Sequence, residues 1–224
     1  MSATHGRVSI PRLILVPALI SLAVTILRLI GELQKWSPVF FNRAPGGPLA
    51  IVGIWWLAIV FGVYFAFKLI AAGEGPRSKA AALLFAVLGV PVAYVGLLVR
   101  ISAGINVTGK SIVSALIIVG AAILPLRGWP TLGKTLLAYA YAARIPVLIV
   151  MYIAIQKNWG THYDVVPPNT PAFSSAWDKF IQIAFFPQMF LWIAYTVIVG
   201  VLAGTLAVAI FQRGAAGSVA GAPA

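Results

Sequence analysis

The chain has no cysteine, and only four of its 224 residues are acidic. The first absence excludes disulfides, thiolate metal sites and thiol redox chemistry, and leaves the compartment open. The second leaves little material for carboxylate chemistry, since Glu32, Glu74, Asp164 and Asp178 are the whole supply. Histidine is as scarce, with His5 and His162 alone, too few for a zinc site. No nucleophile with an adjacent base, no metal set and no cofactor fingerprint emerges, so neither a metal nor a cofactor is expected. Charged residues of both signs make up 9% of the chain, against roughly 25% in soluble domains.

What fills the chain instead is apolar. Hydrophobic residues make up 61% and the mean hydropathy is +1.00. Such a chain reads as an all-α, polytopic integral membrane helix bundle. Its sixteen basic residues give a formal charge of +12. They fall at the ends of apolar runs rather than in one patch. Anionic lipid headgroups are therefore the expected partners, each basic residue near the surface contributing about 1 kcal/mol. Nucleic acid, which needs a basic face on a soluble domain, is not expected.

Apolar runs predict six spans at about 9–33, 49–69, 80–101, 111–126, 135–156 and 187–211. The first reads as an uncleaved span. After the polar stretch Lys157 to Pro171, Ser174 is placed to cap a helix over about 174–185. There Phe173, Trp177, Phe180, Ile181 and Ala184 recur at steps of three and four, the pattern of a short helix lying in the interface. Residues 214–224, small and uncharged, read as a disordered tail. With the N-terminus inside, eight bases fall on the cytoplasmic side and seven opposite. The positive-inside rule then favours both termini in the cytoplasm, in a membrane expected to be the bacterial inner membrane.

Two stretches stand out for chemistry. Arg144 lies nine residues into the span Thr135 to Gln156, near mid-bilayer, two residues before Pro146. The proline cannot donate to the carbonyl of Ala142, which frees an acceptor beside the guanidinium. A charge at that depth faces a bundle interior, a wet cavity or a counter-charge. The candidate ligand-binding set is Arg144 with Tyr141 and Glu32, taking an anion such as a lipid phosphate or a carboxylate. The alternative is an arginine satisfied by Ala142, a tyrosine hydroxyl or Glu32. Glu32 itself is flanked by Arg28 and Lys35, which are expected to neutralise it.

The second stretch, Trp159 to Asp164, is the most polar cluster, and Trp159, His162, Tyr163 and Asp164 form a candidate recognition loop. A catalytic reading has His162 as general acid or base oriented by Asp164. A structural reading has both satisfied within the loop. Gly104 to Ser111 matches the phosphate-loop pattern GxxxxGK[ST], yet it sits between two apolar spans without the strand and metal-holding aspartate such a loop needs, so it reads as a turn. Asn106-Val-Thr108 matches a glycosylation triplet and carries no weight here. Gly200 and Gly204 give the last span a GxxxG spacing, a mark of tight helix packing.

The segment GKTLLAYAYAARIPVL, Gly133 to Leu148, resembles part of the bacterial Yip-type membrane family, with a basic lead, an alanine-tyrosine stretch and a proline opening a span. The resemblance covers sixteen residues and implies a non-enzymatic role in membrane organisation, with no catalytic residues to carry over. The chain departs from that pattern in having Arg144 before the proline and six spans instead of five.

The expected function is a non-catalytic integral membrane protein that organises lipid or partner proteins, a second copy of the chain among them. A carrier or channel for an anionic or lipidic substrate at Arg144 is the alternative. A membrane-embedded lipid enzyme using His162 and Asp164 is the third.

Overall fold

The computed structural model describes residues 8–47, 50–102, 107–166, 168, 170 and 172–219, with the backbone alone at 107, 108 and 212–219. Helix α1 spans Ile10–Leu33, α2 Leu57–Ala71, α3 Lys79–Ile101, α4 Val107–Gly128 and α5 Pro130–Lys157. A loop then leads to α6, Ala176–Lys179, which runs through two π-helical segments, Phe180–Phe185 and Pro187–Leu191, into α7, Trp192–Val219. No strand occurs among the described residues. Five helical stretches are long and apolar enough to cross a membrane, and α2 is a shorter apolar helix of 15 residues. The chain is a helical membrane bundle.

Several boundaries differ from the sequence reading, α4 and α5 each beginning four or five residues earlier than expected. Helix α2 starts at Leu57 instead of Leu49, and residues 50–56 are irregular. Their backbone finds partners elsewhere: Val52 N donates to the Phe40 carbonyl at 3.2 Å, and the Trp56 indole donates to Ile51 O at 3.2 Å. Apolar composition marked this segment without fixing its conformation. At 1.5 Å per residue α2 covers only about 22 Å, short of the ~30 Å hydrocarbon thickness.

The interfacial helix expected at 174–185 is not separate from the last span. Its cap is Ser175, whose hydroxyl accepts from Asp178 N at 3.1 Å, while Ser174 donates to the Asp178 carboxylate from its N–H at 3.0 Å and its hydroxyl at 3.1 Å. From there the apolar helical stretch is unbroken for 36 residues, Ala176–Phe211. That is roughly 54 Å at α-helical rise, well beyond one crossing. Pro187 lies within it instead of starting it. A proline has no N–H to donate, and the wider π-helical turns on either side absorb the missing bond. At the other end α7 continues through Val219. His5, Pro48, Leu49, Gly104 to Asn106 and residues 220–224 lie outside the described residues. Of the phosphate-loop pattern, Gly109 to Ser111 belong to the start of α4, and Lys110 Nζ donates to the carbonyl of Ser102 at the end of α3.

Packing on α1 is inverted relative to a soluble bundle, although Phe65, Trp129, Leu132, Leu136 and Val201 form an apolar core between the other helices. On α1 the buried residues are Pro17, Ser21, Thr25, Arg28, Gly31 and Glu32, while Leu15, Leu19, Ile26 and Ile30 face outward. Hydroxyls in the stripe first satisfy their own helix: Ser21 donates to Pro17 O at 3.0 Å and Thr25 to Ser21 O at 2.8 Å. With its proton so committed, Ser21 Oγ accepts from the Tyr139 hydroxyl on α5 at 2.7 Å. At one end of the bundle the Glu74 carboxylate accepts from Val8 N at 2.8 Å and its carbonyl from the Trp129 indole at 2.9 Å. The opposite end is joined through Glu32 and the loop after α5, so successive helices alternate in direction.

Without a hydrophobic drive between helices in lipid, close backbone approach has to supply the packing. Helices α2 and α7 meet at glycines. A Cβ on Gly62 would stand 2.4 Å from the Gly200 carbonyl oxygen, and one on Gly204 would stand 2.6 Å from the Gly62 oxygen. Those atoms are backbone and cannot turn aside. Gly62→Leu is therefore expected to lower unfolding stability in detergent by roughly 1–3 kcal/mol or more. Gly120→Ala, where nothing lies within 4 Å of the added carbon, should leave thermal and SDS denaturation midpoints unchanged.

Candidate functional site

A cavity of about 570 Å³ lies between α1, α5, the π-helical stretch and the loops at one end of the bundle. Helical periodicity builds its walls. Arg144, Val147 and Met151 recur at steps of three and four on one face of α5, and Thr25 and Arg28 share a face of α1. Pro187, Gln188, Trp192 and Tyr195 form the third wall, and Gly46, Gly47, His162 and Tyr163 the roof.

Arg144 is a buried charge far from either end of its helix. It stands at the middle of the 28-residue α5 and is 5% exposed. Its Nη1 donates to Gln188 Oε1 at 3.3 Å, and its guanidinium lies 4.5 Å from the centre of the Trp192 ring. The cation over the indole face is worth about 2 kcal/mol when desolvated. Among the described residues no carboxylate pairs with it. The Ala142 carbonyl freed by Pro146 is not its hydrogen-bond partner, and neither is Glu32. Gln188 in turn donates from Nε2 only to the Met151 sulfur at 3.4 Å, a weak acceptor.

Glu32 serves the roof. Fully buried at 1% exposure, it holds Arg28 Nε at 2.8 Å on Oε1 and accepts the His162 backbone N–H at 2.9 Å on Oε2. The His162 ring nitrogen Nδ1 lies 2.5 Å from Oε1. Arg28 reaches further, donating from Nη2 to the carbonyls of Asn42 and Gly47, each at 3.2 Å. One carboxylate and one guanidinium thus fasten both roof loops to α1. Arg28 is the partner expected from the sequence, whereas Lys35 follows the helix end with a positive φ of 55°.

Of the other candidates, Tyr141 is 42% exposed on the outer face, away from the cavity. Tyr139, two residues earlier, is the tyrosine that points inward. Asp164 does not orient His162. Its carboxylate closes its own turn, accepting from Thr161 N at 2.8 Å, Thr161 Oγ1 at 2.7 Å and Gly160 N at 2.9 Å. Tyr163 lines the cavity and donates its hydroxyl to Thr25 O at 3.4 Å, and Trp159 packs beside Tyr163 against the apolar cluster of Val147, Met151 and Ile155. The residues missed were Ser21, Thr25, Gln188 and Trp192. Ser21, Thr25, Arg28 and Glu32 form a polar stripe at steps of four, three and four that the first span displays openly.

Burial disfavours the charged form of His162 and holds its pKa below the ordinary 6.5, with the Arg28 charge adding to the effect and Glu32 opposing it. Above that pH folded and unfolded chains both carry a neutral ring. As pH falls through 6.5 the unfolded chain takes up the proton first, so this contribution to stability is lost on acidification. The thermal midpoint of wild type in detergent is expected to fall between pH 7 and pH 5 more steeply than that of His162→Gln. Glu32→Ala, leaving Arg28 buried without its partner, should cost about 3–5 kcal/mol in the same assay.

No family model, curated protein or solved structure matches the chain.

Proposed function

We propose that this integral membrane protein binds an anionic ligand in the cavity at Arg144, and organises or carries that ligand within the bilayer. One observation supports the reading above the others: a buried guanidinium in a cavity of about 570 Å³ has a glutamine and an indole for company and no counter-ion among the described residues. A permanently structural arginine at that depth is costly unless paired. The volume falls within the range of ordinary ligand sites, and the walls combine apolar surface with a few convergent polar groups. Carriage is the second reading, supported by the π-helical wall, since such segments concentrate at functional sites. Catalysis by His162 with Asp164 has no support in the geometry, because the two side chains serve different partners.

Native mass spectrometry of protein released from nanodiscs tests the proposal. Wild type should retain an anionic species, and Arg144→Leu should weaken its retention on the order of ten- to a hundredfold, the worth of a charged hydrogen bond. Retention of the same species by the leucine variant, or wild type that takes up no anion from a supplied pool, would overturn it.

A further inference from the structure

Two guanidiniums and one carboxylate face or border the cavity, and the carboxylate is fully taken up at the roof. Glu32 neutralises Arg28, and Arg28 gives its remaining reach to two loop carbonyls. That leaves one uncompensated positive charge, Arg144. We infer that the ligand is a monoanionic carboxylate carried on an apolar body, an inference that rests on the anion-binding reading above and narrows it.

The donor arrangement supports a carboxylate in particular. Trp192 covers the Arg144 guanidinium and Gln188 occupies Nη1 at the long distance of 3.3 Å. The other N–H groups form a planar fork, which matches the two oxygens of a carboxylate in a bidentate pair. Gln188 is itself buried at 8% exposure, with an amide nitrogen that donates to a thioether alone. That donor stands beside Arg144 and gains most from an oxygen acceptor, because burying an amide against a weak acceptor costs free energy. Val24, Ile54, Val147, Met151 and Ile183 make much of the remaining wall apolar, Thr25, Gln182 and Tyr195 add uncharged polar groups, and Arg28 is already paired with Glu32. Such a wall suits a hydrocarbon or aromatic body and offers no further charge for a second anionic group. A phosphomonoester, which carries close to two charges above pH 7, would be left with one of them unmatched.

The chemistry is shared by a membrane-derived fatty acid and by a water-soluble aromatic acid, so the test separates them. Purified protein in nanodiscs of zwitterionic lipid is titrated at pH 8 with dodecanoate, 4-phenylbutyrate, dodecyl phosphate and dodecanamide. At least one carboxylate should bind about tenfold or more tightly than the phosphate and the amide. Binding of dodecanoate alone assigns the source to the bilayer, binding of phenylbutyrate alone to the aqueous side, and either result supports the carboxylate. Gln188→Leu should weaken the preferred acid severalfold while leaving the folded fraction intact. Glu32→Gln, which releases the Arg28 charge, should shift preference toward the phosphate. The amide binding as tightly as the acid, or the phosphate binding more tightly in wild type, would overturn the inference. Binding by the phosphate would leave the anion site standing, whereas failure of every anion would remove that reading as well. The wild-type ranking decides without relying on any variant.

Discussion

Burial of the Glu32 carboxylate is the interaction on which the upper half of this bundle depends. An ionised carboxylate away from water is tolerable only with its oxygens filled. Here they are filled by a guanidinium one helical turn away, by an imidazole and by a backbone N–H 130 residues along the chain. Local helix geometry supplies Arg28, at i–4, without any tertiary help. Everything else has to be brought to the site by folding. Because the Arg28 side chain also holds the carbonyls of the loop between α1 and α2, two loops without regular structure among their described residues acquire fixed positions over the cavity.

The lower half follows a different rule. Between helices already surrounded by lipid, apolar side chains gain packing contacts but no hydrophobic drive by turning inward, and α1 places isoleucine and leucine outside with serine, threonine and proline inside. Where α2 meets α7 the approach is closer still, glycine on glycine. Large apolar side chains, Phe65, Leu132, Leu136 and Trp129 among them, fill the interior elsewhere. The small and polar residues are concentrated on the inner face of α1 and at the α2–α7 contact.

Fold class was legible because length and apolar composition are local properties of the chain, whereas one of the six expected spans is the short helix α2, whose length those properties did not fix. Arg144 was legible for the same reason, as a charge in an apolar run. Its partners were not, since Gln188 lies 44 residues away on a helix whose register is shifted by π-helical turns, and no periodicity announces that shift. Tyr141 was the natural local choice at i–3, yet the helix turns it outward and Tyr139 inward. Residues 50–56 show the limit of composition from the other side, being apolar enough for a span and irregular all the same. The Ser21–Thr25–Arg28–Glu32 stripe was readable throughout, being a helical repeat written in polar letters.

The π-helical stretch makes the site sensitive to count as well as to kind. A π turn holds more residues than an α turn over a similar length of axis. Deleting one residue between Phe180 and Leu191 would let a π segment relax to ordinary α-helix and leave the helix on either side close to its present register, since the wider turn is what takes up the extra residue. The extra residue is thus a local device. It sets the angle at which Gln188, inside the second π segment, meets Arg144 without turning α7.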